Sequence, residues 1–214
     1  MNARWQDTPA AKLLRLLADL MLVNLLTLVC SMGIVTMGAS LTAMYAVLFR
    51  RERDEGTVDV LRTYFKAFAR NFVKATALEL MVALLALVVA GDVWYALTLG
   101  QTGRFVFLAV ATVVGVLTLV EFTMSFPQLA AFENTLGNYV KNSLILAACA
   151  PVHLLGILAA WAVPWGMALT VSELFLRFGY LYMLWGLAFP AWLTVKLLNL
   201  VFKKTNQSQP TPAA

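Results

Sequence analysis

Between Arg50 and Lys74 the chain carries seven of its sixteen Lys and Arg residues, yet long apolar runs flank this stretch on both sides. A bilayer interior does not accept that many charges, so RRERDEGTVDVLRTYFKAFARNFVK belongs in water or at a membrane surface, and the rest of the chain is placed around it. Its second half has two stripes at helical spacing. Arg62, Lys66, Arg70 and Lys74 recur at steps of four, and Val58, Leu61, Phe65, Phe68 and Phe72 at steps of three or four. A basic stripe beside an aromatic face suits a helix lying among anionic headgroups, so an interfacial helix is expected over residues 57–74. Basic loops stay mostly on the cytoplasmic side, which sets the orientation.

Composition supports a membrane solvent. The 214 residues are 61% hydrophobic and 13% charged, where soluble domains have about 45–50% and 25%. A single polytopic all-α domain, a transmembrane helix bundle over residues 1–204, is expected, with a disordered tail at 205–214. The formal net charge of +5 sits at membrane edges, so topology accounts for it and a nucleic-acid partner is not expected. Cys30 and Cys149, the two cysteines, both lie in apolar runs and indicate neither a disulfide framework nor a metal cluster. No cleaved signal peptide is expected, since the first apolar run carries Asp19 and leads into another membrane segment.

From Leu13 to Phe49 the only charges are Arg15 and Asp19. One straight helix there would be about 55 Å long, nearly twice the roughly 30 Å hydrocarbon thickness. Gly33 and Gly38 offer a turn, giving crossings at about 13–33 and 36–52, the second short. Further crossings are expected at 75–97, 105–126, 143–165 and 178–202, with outer turns at Gly100–Gly103 and around Glu173 and Arg177. Residues 128–142 form a polar inner connection. With both termini inside, only Arg104 and Arg177 among the basic residues lie outside, as the positive-inside rule asks. The expected location is the bacterial inner membrane.

Two stretches resemble the YesL family of bacterial membrane proteins, a domain of unknown function. GASLTAMYAVLFRRERDEGTVDVLRTYFKAFARNFVKAT, from Gly38 to Thr76, is similar in its small-residue turn with Thr-Ala, its charged stretch and its spaced aromatics ending in Asn71-Phe72-Val73-Lys74. FPQLAAF, from Phe126 to Phe132, with Lys141-Asn142 downstream, is similar to the family's Phe-Pro and Lys-Asn, although the commoner family form has Arg where this chain has Ala131. The resemblance implies a link to carbohydrate uptake and breakdown and no catalytic residues.

The ionisable groups within the expected spans include Asp19, Glu79, Glu121 and Lys196, all near the inner end. Such groups are functional candidates by default, and at a common depth Lys196 is expected to pair with Glu121 or Glu79. Asn24 is expected to bond a neighbouring helix. His153, the one histidine, falls mid-span four residues after Cys149, and Pro151, Pro164 and Pro190 are candidate helix breaks. No phosphate loop, HExxH or GxSxG motif occurs, so neither enzyme activity nor a cofactor is expected. Two readings remain. One is an accessory or regulatory component of a membrane assembly, such as a sugar transport system. The other is a small transporter or channel with an inward-opening polar cavity.

Overall fold

The computed structural model describes residues 8–53, 58–170 and 182–207, with side chains for 8–53, 58–162 and 182–202. Among these residues the secondary structure is helical and contains no strand. Helix α1 spans Pro9–Cys30. Thr8 caps it by accepting the Ala11 N–H at 3.3 Å, and Pro9 supplies the preset first turn. The chain then reverses through Ser31–Gly33 and a 3-10 turn at Ile34–Thr36. The Thr36 hydroxyl donates to the carbonyls of Cys30 (2.6 Å) and Gly33 (2.7 Å), closing that turn.

Helix α2, Met37–Arg53, returns beside α1, and an Arg51–Asp19 ion pair joins its last turn to the middle of α1. It is the centre of the molecule: from Gly38 to Phe49 every residue but Ala46 is buried. The sequence suggests a short second crossing here. At 17 residues, with Arg50, Arg51 and Arg53 in its last turn, α2 lacks the length and hydropathy of a self-standing span and is instead sheathed by neighbouring helices.

Helix α3 runs unbroken from Val60 to Thr98, 39 residues or about 58 Å. The expected interfacial helix and third crossing are therefore one rod, not a surface helix followed by a span. Its N-terminal half is held by Val60, Thr63, Tyr64, Ala67, Asn71, Ala75 and Leu78, all buried, so the inner face lies between the basic and aromatic stripes. Burial against α2 outweighs the headgroup region for these turns. After a turn at Leu99–Gly100, shorter than the expected Gly100–Gly103, α4 spans Gln101–Ala131. Pro127 does not end it. The proline removes one donor, a loss tolerable inside a packed bundle.

Residues Leu136–Cys149 form α5 and Pro151–Thr170 form α6. The fifth expected crossing is bent by 105° between them, at Ala150, where Pro151 cannot continue the α5 ladder. The last span, Tyr182–Phe202, is interrupted by a turn at Gly186–Leu187, after which α7 covers Ala188–Gln207. Residues 205–207, expected in the tail, are thus helical. The expected outer loop around Glu173 and Arg177, the start of the sixth crossing and the tail from 208 lie outside the described residues.

Among the described residues four helices are long and apolar enough to cross a membrane (Pro9–Cys30, Val60–Thr98, Gln101–Ala131 and Tyr182–Phe202), or five if the bent α5–α6 pair makes one span. Between residues 83 and 117 the α3–α4 hairpin buries only Ala96 and Ala111 and turns Leu84, Leu87, Phe105 and Val113 outward. A girdle of that kind suits hydrocarbon, not water. This is an all-helical membrane protein.

Candidate functional site

The C-terminal turn of α2 meets the N-terminal turns of α3, and the α4–α5 connection folds over both. Because α3 runs antiparallel to α2, the end of the bundle that receives Arg50 and Arg53 also receives Lys66 and Arg70. A cavity of about 450 Å³ opens there. Its polar wall is Arg50, Arg53, Thr63, Lys66, Arg70 and Glu133, and its floor is Ala46, Phe49, Ala67, Ala130 and Ala131. Small side chains on three helices create the space.

The rim is braced. Arg50 Nη1 donates to Thr63 Oγ1 at 3.4 Å. Lys74 Nζ donates to the Asn134 carbonyl at 3.0 Å, and Arg70 lies 3.7 Å from Glu133. Buried Tyr139 clamps the connection from below: its hydroxyl donates to the Phe132 carbonyl and accepts from the Asn134 N–H, both at 2.8 Å. The two inner segments, 50–74 and 128–142, thus form one surface. The basic stripe is divided. Lys66 and Arg70 line the cavity, Lys74 ties down the connection, and Arg62 stands exposed outside.

Along α4 from this rim runs a buried polar network. Ser125 Oγ donates to Glu121 Oε2 at 2.7 Å and lies 3.2 Å from Ser143 Oγ on α5. Gln128 Nε2 donates to Ser143 Oγ at 3.0 Å, and Ser143 donates in turn to the Tyr139 carbonyl at 2.9 Å. Glu121 is only 3% exposed, and its second oxygen, Oε1, has no hydrogen-bond partner. Sequence reasoning singled out Glu121 but missed Ser125, Gln128 and Ser143. Their signal was a polar row at 121, 125 and 128, one helical stripe inside an apolar run.

The expected cluster of Asp19, Glu79, Glu121 and Lys196 is not assembled. Asp19 pairs with Arg51, and Glu79 Oε2 accepts the Gly38 N–H at 2.9 Å. Lys196 is exposed, its ammonium 4.0 Å above the Trp192 ring rather than against Glu79 or Glu121. Each acid finds a nearer donor, and the long lysine stem lies along an indole instead.

Asn24, fully buried, bridges the break in the last span. Its Nδ2 donates to the Met183 carbonyl (2.6 Å) and the Tyr182 carbonyl (3.4 Å), and its Oδ1 accepts the N–H groups of Leu187 (2.8 Å) and Ala188 (2.9 Å). His153 is half-buried in the first turn of α6, and the break at Ala150 removes it from the face that carries Cys149. A second cavity of about 360 Å³ between α2, α4 and α6 is walled by Leu41, Tyr45, Phe122, Phe126 and Trp161 and is almost wholly apolar.

Residues 20–93 match the model of a family described as a protein of unknown function, DUF624. That match covers the second half of α1, all of α2 and most of α3. No curated protein matches the chain, and no solved structure does.

Proposed function

We propose that the protein is a YesL-like accessory or regulatory component of a membrane assembly, in a bacterial inner membrane, with six crossings and both termini in the cytoplasm. The count of six takes α2 as a short crossing sheltered by its neighbours and the bent α5–α6 pair as one span. A single observation carries the accessory reading. Of the polar groups within the spans, Asn24, Glu79, Ser125, Gln128 and Ser143 are engaged in joining helices, and the cavity between α2, α4 and α6 is apolar. A path for a sugar needs polar groups facing a cavity at depth. The outward apolar α3–α4 hairpin supplies a surface for a partner's helices, and the basic end supplies one for charged groups. The family resemblance points to a sugar uptake system as the partner, and no enzyme chemistry is proposed.

Mild solubilisation of native membranes and affinity capture of the full chain test this reading. A partner retained in fixed stoichiometry is the expected result. Substrate uptake by the purified protein alone in vesicles overturns it in favour of a transporter, a reading that draws on the unpartnered Glu121 oxygen and the 105° break. For the orientation, a cysteine replacing Arg62 is expected to react with an impermeant thiol reagent only after cells are opened.

A further inference from the structure

We infer that the basic cavity is a binding site for one phosphate-bearing headgroup, that of an anionic phospholipid of the surrounding leaflet. The inference rests on the proposed function only for placing this end at a membrane surface. It does not depend on a protein partner.

Three features carry it. First, charge converges. Arg50, Arg53, Lys66 and Arg70 come from two helices onto one cavity, where Glu133 is the one acid among the described lining residues. The Arg70–Glu133 pair is 3.7 Å long with side chains 54% and 82% exposed, so it competes weakly with an incoming anion. Guanidinium groups suit phosphate because their paired N–H donors match two of its oxygens, and a basic pocket between membrane helices is a known setting for headgroups.

Second, the space fits. A volume of about 450 Å³ falls within the range of roughly 300–1,000 Å³ typical of small-ligand sites. Its alanine floor leaves room for a headgroup and not only a bare ion.

Third, the rim is amphipathic. Phe132, just past the end of α4, lines the cavity and is 51% exposed. A phosphate seated among the cations can therefore leave its acyl chains along apolar surface, which a soluble phosphate has no use for.

The test uses the full chain in neutral detergent, stripped of lipid by washing. Phosphatidylglycerol, phosphatidylcholine and inorganic phosphate are each titrated, with thermal stability and retained lipid by native mass spectrometry as readouts. The expected result is saturable, one-to-one retention of phosphatidylglycerol, with phosphatidylcholine at least tenfold weaker. Inorganic phosphate should stabilise only at much higher concentration. Equal stabilisation by inorganic phosphate keeps the phosphate chemistry but overturns the lipid as its source.

Lys66→Gln with Arg53→Gln should reduce retention tenfold or more, while Arg62→Gln, on the same stripe but off the cavity, should leave it unchanged. If Arg62→Gln weakens binding as much, charge acts diffusely and the site is refuted. If the cavity variants keep the lipid yet lose a copurifying protein, the cavity is a protein dock and the inference also fails. Should the double variant not fold, displacement of the retained lipid from the unaltered protein by glycerol 3-phosphate, compared with sulfate at equal ionic strength, decides: a headgroup site yields to the first far more than to the second, and diffuse attraction yields to both alike.

Discussion

The carboxylate of Glu79 accepts the backbone N–H of Gly38 at 2.9 Å, so an acid on α3 caps the N-terminus of the central helix α2. Gly38 is the second residue of that helix, and its N–H is one of the first-turn donors that the helix itself cannot satisfy. A negative group there also complements the positive end of the helix dipole. The approach is close enough to exclude a side chain. A Cβ on Gly38 would lie 2.8 Å from the Ala75 carbonyl oxygen and 2.9 Å from the Phe126 ring.

Gly38→Ala is accordingly expected to lose stability, by about 1–3 kcal/mol, the range for overpacking a filled core. The clashing atoms are backbone and a ring, neither of which yields cheaply. Glu79→Gln keeps an acceptor oxygen and should cost well under Glu79→Ala, for which about 1–2 kcal/mol is expected from the lost cap. Thermal unfolding of the purified variants in one detergent ranks them. Equal losses for Gln and Ala at position 79 would show that the cap contributes nothing.

Asn24 does for the last span what Glu79 does for α2, at four backbone groups instead of one. The turn at Gly186–Leu187 frees carbonyls and N–H groups that hydrocarbon cannot satisfy. A side chain with both donor and acceptor is needed. Asn24→Leu should therefore lower stability by about 2–4 kcal/mol, whereas Asn24→Gln, with the same groups on a longer stem, should recover part of the loss. Protease sensitivity near Tyr182–Ala188 offers a second readout, since losing the bridge loosens the break.

The helical membrane class was legible in the sequence because hydrocarbon imposes length and apolarity on anything that crosses it. The position of the basic stretch was legible for the same reason. What sequence periodicity cannot report is whether one helix stops where its solvent changes. The pattern from Val60 to Thr98 passes from charged to apolar with no proline or capping glycine to break it, and α3 continues straight through. Pro127 and Pro151 look alike in sequence yet differ in outcome. The first sits in a helix packed on most sides, and the second starts a new helix across a 105° bend. Partner choice was equally hidden. Depth along a span placed Glu79, Glu121 and Lys196 together, but which face each occupies depends on how neighbouring helices are rotated. Here the rotations send them to a backbone amide, a serine and an indole.

Ser143 is the hub of the α4–α5 network, accepting from Gln128, lying 3.2 Å from Ser125 Oγ and donating to the Tyr139 carbonyl. Ser143→Ala strands the Gln128 amide in a buried setting and should cost about 1–3 kcal/mol. A double-mutant cycle with Ser125→Ala should show coupling of about 0.5–2 kcal/mol, because the two hydroxyls touch. Additive losses would mean that the contact carries no energy. Glu121→Gln retains the shape and an acceptor for Ser125. It removes a carboxylate whose Oε1 is already without a partner, so a change under about 1 kcal/mol, or a gain, is expected.

Two cations at the same end of the bundle should behave differently under substitution. Lys196 rests on the Trp192 ring, and the Trp192 indole N–H donates to Glu52 Oε1 at 3.1 Å. An exposed cation–π contact of that kind is worth about 0.5–1 kcal/mol, so Lys196→Ala should be nearly silent. Arg51 pairs with Asp19 across the α1–α2 hairpin, with side chains 10% and 25% exposed. Removing one partner leaves the other charge partly desolvated, and Arg51→Ala should cost about 2–4 kcal/mol, somewhat below a fully buried pair. The double variant Arg51→Ala with Asp19→Asn should recover part of that loss, since no uncompensated charge remains. Thermal unfolding of the four proteins decides the matter. If Lys196→Ala proves as damaging as Arg51→Ala, Lys196 holds a buried acid in the membrane after all, and the assignment of Glu79 and Glu121 to helix-joining roles must be withdrawn.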